Sequence, residues 1–117
     1  MLTTTLAAVA MAASHKPAPQ PVVRTAEATS YCLLGTMADG TYTRRRSIAM
    51  NRHALGTRIK LRAVYQGGRL VAHNVRGLTM FTVRDRIGWG TELDFWSPDC
   101  NWSRLFGRKT VKYQIAR

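Results

Sequence analysis

Three of the chain's six acidic residues lie close together, in the stretch TVRDRIGWGTELDFW that spans residues 82–96. Asp85 ends one apolar run, Asp94 lies inside a second, and Glu92 lies between them. Carboxyl groups held near one another are the usual means of general acid–base chemistry, in which one group gives and retrieves a proton. Two structural alternatives remain open: ion pairs with the flanking arginines, or hydrogen bonds within a turn.

Two strand-like segments position these carboxyl groups. Residues 78–86 and 91–96 alternate or run apolar, and Gly88 and Gly90 connect them. Strands joined in this way can bring Asp85 and Asp94 to one end of a small barrel. Neighbouring residues on a strand point to opposite faces, so the arginines beside Asp85 are not expected to share its side.

Short strands and turns make up most of the remaining pattern. The segment ALGTRIKLRAVY alternates, which predicts Ile59, Leu61 and Ala63 facing the core and Lys60 and Arg62 facing outward. QGGR predicts a hairpin turn. SPDCNWSRLFG predicts one short helix that is capped by Ser97 and stopped by Gly107. Further strands are predicted in EATSYCLL, LVAHNV and KTVKYQIA, and RRRSIAMN returns the chain after the loop GTMADGTYT. The sequence therefore indicates a compact, mainly β barrel with one short helix near the C-terminus.

Positive charge dominates the surface. The formal net charge is +12 over 117 residues, which indicates a polyanionic partner: nucleic acid, an anionic membrane or an anionic cell-wall polymer. The basic residues are spread along the chain, and the run Arg44–Arg46 is typical of a solvated loop. We find no recognition helix, zinc finger or aromatic RNA-binding motif, so specific nucleic-acid recognition is not expected.

The two cysteines, Cys32 and Cys100, lie near opposite ends of the predicted barrel. A disulfide formed in an oxidising compartment is the favoured interpretation, and two buried free thiols are the alternative. The histidines show no metal-like spacing to either cysteine, so no metal site and no other cofactor is expected.

Residues 1–27 differ in composition from the rest. The apolar stretch LAAVAMAAS ends in small residues and is followed by the proline-spaced KPAPQP, which indicates an export signal with a tether. The stretch lacks a preceding basic residue and is too short to span a bilayer. A disordered segment is the alternative. We therefore place a signal-like or disordered segment at 1–27 and one domain at 28–117.

Residues 28–117 resemble the double-psi β-barrel of the rare-lipoprotein-A and three-aspartate group, which is related to the barrels of lytic transglycosylases and to expansins. The resemblance is carried, in order, by TMADGTYT, SIAMNRHALGT, TVRDRIGWGTELDFW and NWSRLFGRKTVKYQIA. It implies a six-stranded barrel that cleaves the glycan strands of peptidoglycan. In the lytic version one carboxylic acid protonates the glycosidic oxygen and then acts as base for the sugar's own 6-hydroxyl.

Positions matched to the family imply the roles of individual residues. Asp85 matches the central aspartate and is the expected acid/base, while Asp94 matches the last aspartate and is expected to support it. Asn51 stands where three-aspartate members carry their first aspartate, and His53 is slightly displaced from the histidine of the relatives. The remaining expected substrate contacts are Asp39, Trp89 and Trp96, with Trp102 as a further candidate for stacking on a sugar.

Two functions stay open at this point. One is an exported, monomeric cell-envelope enzyme that binds peptidoglycan or another anionic wall polysaccharide and cleaves it. The other is an expansin-like module that binds the wall without turnover, since Asn51 cannot raise a neighbouring carboxyl's pKa by like-charge repulsion. Charge alone also leaves a nonspecific nucleic-acid binder as a third, weaker alternative.

Overall fold

The computed structural model describes residues 20–116, and the signal-like stretch predicted before residue 20 lies outside them. Within this range the chain forms seven strands and one short helix. In chain order they are β1 Arg24–Tyr31, β2 Ser47–Met50, β3 Arg58–Gln66, β4 Arg69–Ala72, β5 Met80–Asp85, β6 Leu93–Trp96, α1 Cys100–Phe106 and β7 Lys109–Ile115. The prediction of a mainly β fold with one helix near the C-terminus is confirmed.

Six of the strands form a closed barrel. Their order is β3-β5-β2-β6-β1-β7, and β7 closes the ring by pairing with β3, while β4 lies outside as a hairpin partner of β3. The β1–β6 and β2–β5 pairs are parallel and the others are antiparallel. This mixed pairing is compatible with a double-psi barrel. Because the ring is closed, none of its six strands has an unpaired edge. Of the strands in residues 20–116, only β4, outside the ring, is an edge strand.

The core is built from the inward residues of all six barrel strands. Ile59, Leu61 and Ala63 are buried, as the alternating pattern of β3 predicts. Phe95 lies at the centre of an aromatic group, with edge contacts to Phe81 at 5.0 Å and to Phe106 at 5.9 Å between ring centroids. The helix is thereby fixed against one end of the barrel.

The helix cap differs from the prediction. Asp99, not Ser97, is the N-cap, because its side chain accepts the hydrogen bond from Trp102 N at 3.1 Å. Ser97 is fully buried, and its Oγ accepts from Asp99 N at 3.1 Å instead. The predicted stop at Gly107 is where the helix ends, with a φ of 64° that favours glycine.

The turns follow the glycine pattern. Gly67 and Gly68 have φ values of 58° and 78°, the left-handed pair that a two-residue hairpin between β3 and β4 requires.

Strand β1 starts at Arg24, so the barrel includes Ala26, which is 1% exposed.

The predicted disulfide is present. Cys32 follows β1 and Cys100 is the first residue of α1, and their sulfur atoms are bonded. The bridge fastens the loop after β1 to the helix.

Candidate functional site

Asp85 and Asp94 lie on either side of Ala49. Ala49 on β2 pairs with Asp85 of β5 in the parallel register and with Asp94 of β6 in the antiparallel register. Thr29 of β1 pairs with Asp94 and extends this row across a fourth strand. Since neighbouring strands are about 4.8 Å apart, the two aspartate Cα atoms are roughly 10 Å apart, with Ala49 of the intervening strand between them.

A β-bulge places Asp85 in this row. Ile48 pairs with Val83, but the next residue of β2, Ala49, pairs with Asp85, so Arg84 is an extra residue on β5. Regular alternation would point Asp85 to the same side as the buried Val83. The bulge turns Asp85 to the side of Ala49 and Asp94 instead.

Asp85 accepts three hydrogen bonds. Its Oδ1 accepts from Ala38 N at 3.0 Å and from Arg86 N at 2.9 Å, and its Oδ2 accepts from the Tyr31 hydroxyl at 3.3 Å. Burial, followed by the negative charges of Asp85 and Asp94, raises the pKa of Tyr31, so its phenol keeps the proton that it donates.

Asp94 has a less polar environment. It is half-buried on β6, and its Oδ1 accepts one hydrogen bond, from the Thr29 hydroxyl at 3.0 Å. Burial raises the pKa of Asp94; the hydrogen bond from Thr29 opposes this rise, and the charge of Asp85 adds to it. The pair thus combines a carboxyl group that accepts three hydrogen bonds with one that accepts a single hydrogen bond and whose pKa is raised by burial.

Asp39 fastens the loop that covers Asp85. Its Oδ1 accepts from Thr41 N and from the Thr41 hydroxyl at 2.9 Å and 2.6 Å, and its Oδ2 pairs with Arg84 Nη1 at 3.1 Å. The hydrogen bonds from Thr41, together with the Arg84 guanidinium, lower the pKa of Asp39. Asp39 N also donates to Arg84 O at 2.9 Å, so this residue ties the Ala38 loop to the bulge. Asp39 therefore holds the loop in position for the donor that Ala38 offers to Asp85.

Asn51 closes the loop after β5. Its Nδ2 donates to Ile87 O at 2.7 Å and its Oδ1 accepts from Ile87 N at 2.9 Å, so the side-chain amide is engaged with a backbone segment.

His53 contacts Tyr113 on β7 rather than the aspartates. Its Nε2 lies 2.8 Å from the Tyr113 hydroxyl, and the two rings meet edge to face. Burial, then the nearby Arg24 and Arg52, lowers the pKa of His53 and favours the neutral imidazole.

The three tryptophans differ in how far their rings are exposed to solvent. Trp89 is 91% exposed in the loop that joins β5 to β6. Trp96 is half-buried on β6, two residues beyond Asp94, and donates from its indole to Leu33 O at 2.9 Å. Trp102 packs against Phe106 at 5.2 Å between centroids.

Sequence reasoning missed Tyr31, Thr29 and Ala49 as parts of the site. Strand alternation places Thr29 and Tyr31 on one face of β1, and that was a usable signal. The parallel β1–β6 register that brings them to Asp94 joins segments 65 residues apart, and no local pattern encodes it.

Two negative findings apply to residues 20–116. No group of three or more His, Cys, Asp or Glu side chains there is arranged to hold a metal ion. No helix in the same part of the chain is long and apolar enough to cross a membrane.

Comparison with known proteins gives no family: no family model, no curated protein and no solved structure matches this chain.

Proposed function

We propose that this barrel binds the glycan strands of peptidoglycan and cleaves them by the lytic route, with Asp94 as the acid/base and Asp85 as the second carboxyl group of the site. The observation that carries the proposal is the placement of these two carboxyl groups on either side of Ala49, in different hydrogen-bonding environments. Ala49, which is 3% exposed, lies between them on β2.

The hydrogen bonds favour exchanging the roles that family position alone implies. A general acid must hold a proton at the working pH. Asp94 has one donor and a pKa that burial raises, whereas Asp85 has two backbone donors and a phenol. Asp94 is therefore the better candidate for the acid.

The proposed reaction returns the enzyme to its starting state. Asp94 donates its proton to the glycosidic oxygen as the bond from that oxygen to C1 breaks. The resulting carboxylate removes the proton of the sugar's own 6-hydroxyl as that oxygen bonds to C1, which gives an anhydro end. Asp85 stabilises the positive charge that develops at C1.

The test is product analysis by mass spectrometry after incubation with defined glycan strands. We expect anhydro ends from the wild type and a loss of about 10²- to 10⁴-fold in turnover for Asp94→Asn. For Asp85→Asn we expect residual activity, with the basic limb of the pH–rate profile moved to lower pH, because the charge of Asp85 raises the pKa of Asp94. Asp99→Asn is the matched control, since asparagine caps a helix as well as aspartate does.

Two results would contradict these assignments. Full loss of activity in Asp85→Asn, with Asp94→Asn active, would return the acid role to Asp85. Plain reducing ends in place of anhydro ends would replace the lytic route by hydrolysis.

A wall-binding module without turnover is the second candidate function. It is favoured by Asn51, whose amide hydrogen bonds to the backbone of Ile87 and which stands where the resemblance implies a third carboxylate. The 91% exposed Trp89 offers a face for a sugar ring in either case. Retention on sacculi without any product from the wild type would select this function, and Asn51→Asp would then test for regained activity.

The disulfide supports export to the cell envelope, since such bonds persist in oxidising compartments.

A further inference from the structure

A cavity lies where β2 begins and β6 ends, beside Arg46 and Trp96. It has a volume of about 320 Å³, and its charged and aromatic lining consists of Arg45, Arg46, Arg76, Phe81, Trp96 and Trp102. Ligand sites are commonly about 300 Å³ or larger, so the cavity has room for a group of the size of one sugar ring.

Among residues 20–116, Arg45, Arg46 and Arg76 form no ion pair with an acidic side chain. The two ion pairs formed within residues 20–116 join Arg52 to Glu92 and Arg84 to Asp39. No Asp or Glu lines the cavity. The Arg76 guanidinium lies over the Trp102 ring, 5.1 Å from its centroid, so a planar cation and an aromatic face are already combined there. Guanidinium groups without partners in a concave site favour a carboxylate or phosphate.

Two of the three arginines, Arg46 and Arg76, have a strained backbone. Arg46 and Arg76, with φ values of 64° and 53°, are the non-glycine residues of positive φ in the described chain. Side chains other than glycine adopt this conformation at a cost, and such strain is often found at ligand sites. Both strained residues line the same cavity.

The cavity lies in line with the aspartate pair. Trp96 is two residues beyond Asp94 on β6, roughly 7 Å along the strand. Arg46 immediately precedes β2, which carries Ala49 between the two carboxyl groups. An extended ligand lying along β6 would therefore reach both places.

From this geometry we infer that the cavity binds an anionic saccharide, with a sugar ring against Trp96 and Trp102 and its carboxylate or phosphate on Arg45, Arg46 and Arg76. The inference rests on the proposed function, which identifies the ligand as a glycan strand. It adds a binding site for an anionic group beside Asp85 and Asp94. It would make an acidic sugar, rather than a neutral one, the unit held at this end of the site.

Binding is measured on the wild-type protein, because the single-sugar probes contain no bond between two sugars that it could cleave. The probes are N-acetylmuramic acid, a sugar phosphate, neutral N-acetylglucosamine and single-stranded oligothymidylate, followed by tryptophan fluorescence. We expect one or both acidic sugars to bind and the neutral sugar to bind at least about 10-fold more weakly. Which acidic sugar binds more tightly tells carboxylate from phosphate.

Arg76→Gln should weaken binding of the acidic sugar about 10- to 100-fold. Arg69→Gln is the matched control, because it removes the same charge from the exposed strand β4. Arg46→Gly should also weaken binding while the melting temperature stays level or rises, since glycine relieves the positive φ.

Three outcomes would overturn the inference: equal binding of neutral and acidic sugars, equal effects of Arg76→Gln and Arg69→Gln, or tighter binding of oligothymidylate than of either acidic sugar. Binding that follows the expected order in a wild type that makes no product would support the subsite and reject the catalytic proposal.

Discussion

Asp39 and Asp94 respond to their surroundings in opposite directions. Hydrogen bonds from Thr41 and the charge of Arg84 lower the pKa of Asp39, whereas burial raises the pKa of Asp94. A lowered carboxyl pKa stabilises the folded state once the group is ionised, and a raised one costs stability in the same pH range. The carboxyl proposed for chemistry is thus the one that destabilises the fold, and the carboxyl that fastens the loop is the one that stabilises it.

Replacing Asp39 tests the loop's contribution to stability. Its ion pair with Arg84 is largely shielded, with side chains 17% and 24% exposed, so we expect Asp39→Asn to lower the free energy of unfolding by about 1–2 kcal/mol at neutral pH. The contribution is complete above the unfolded pKa of about 3.9 and is lost as the pH falls through the lower folded pKa. The difference between variant and wild type, measured by urea unfolding, should therefore vanish in strong acid.

Glu92→Gln is the control for that measurement. The Arg52–Glu92 pair has side chains 40% and 49% exposed, and exposed pairs contribute little, so the cost should stay below about 0.5 kcal/mol. Equal losses in the two variants would mean that Asp39 does not hold the loop in the way described.

At the scale of elements, strand and turn positions followed from local pattern, while the site's geometry did not. The alternation in β3 and the glycine pair before β4 are local signals, and both were predicted correctly. The bulge at Arg84 depends on how β2 and β5 pair, which no local pattern shows. Ser97 was wrongly preferred as the helix cap because serine before proline is a strong sequence signal, whereas burial of Ser97 moved the cap to Asp99.

The disulfide joins two elements that are distant along the chain. Cys32 and Cys100 are separated by 68 positions, and the loop between them contains β2 to β6. In the chain-entropy description, closing such a loop in the unfolded state is worth about 4 kcal/mol. We expect the double variant Cys32→Ala/Cys100→Ala to lose roughly this free energy in denaturant unfolding. The wild type measured under reducing conditions should lose as much unfolding free energy as the double variant, which would show that the bond, and not side-chain packing, is responsible. A loss below about 1 kcal/mol in the double variant would contradict this role of the disulfide.

The protein has many more basic residues than form ion pairs in the described part of the chain. The chain has 18 Lys and Arg residues against six Asp and Glu, and the two ion pairs within residues 20–116 engage only Arg52 and Arg84. The remaining cations produce a positive field that extends beyond any single contact and attracts a polyanion before a specific fit is reached. This long-range attraction and the local arginine–tryptophan cavity are separable, because salt screens the first far more than the second.

Binding to isolated cell-wall sacculi should therefore fall steeply as sodium chloride rises from about 0.05 M to 0.5 M, where the screening length shortens to a few ångströms. The exposed run Arg44–Arg46 contributes to this field, so Arg44→Gln should weaken retention only slightly and leave the slope with salt nearly unchanged. Arg76→Gln should instead lower retention at high salt, where the cavity makes the larger share of the remaining interaction. Co-sedimentation with sacculi across a salt series measures both effects. Retention that does not depend on salt would exclude the polyanion model, and stronger retention on nucleic acid than on sacculi at physiological salt would favour a nucleic-acid partner.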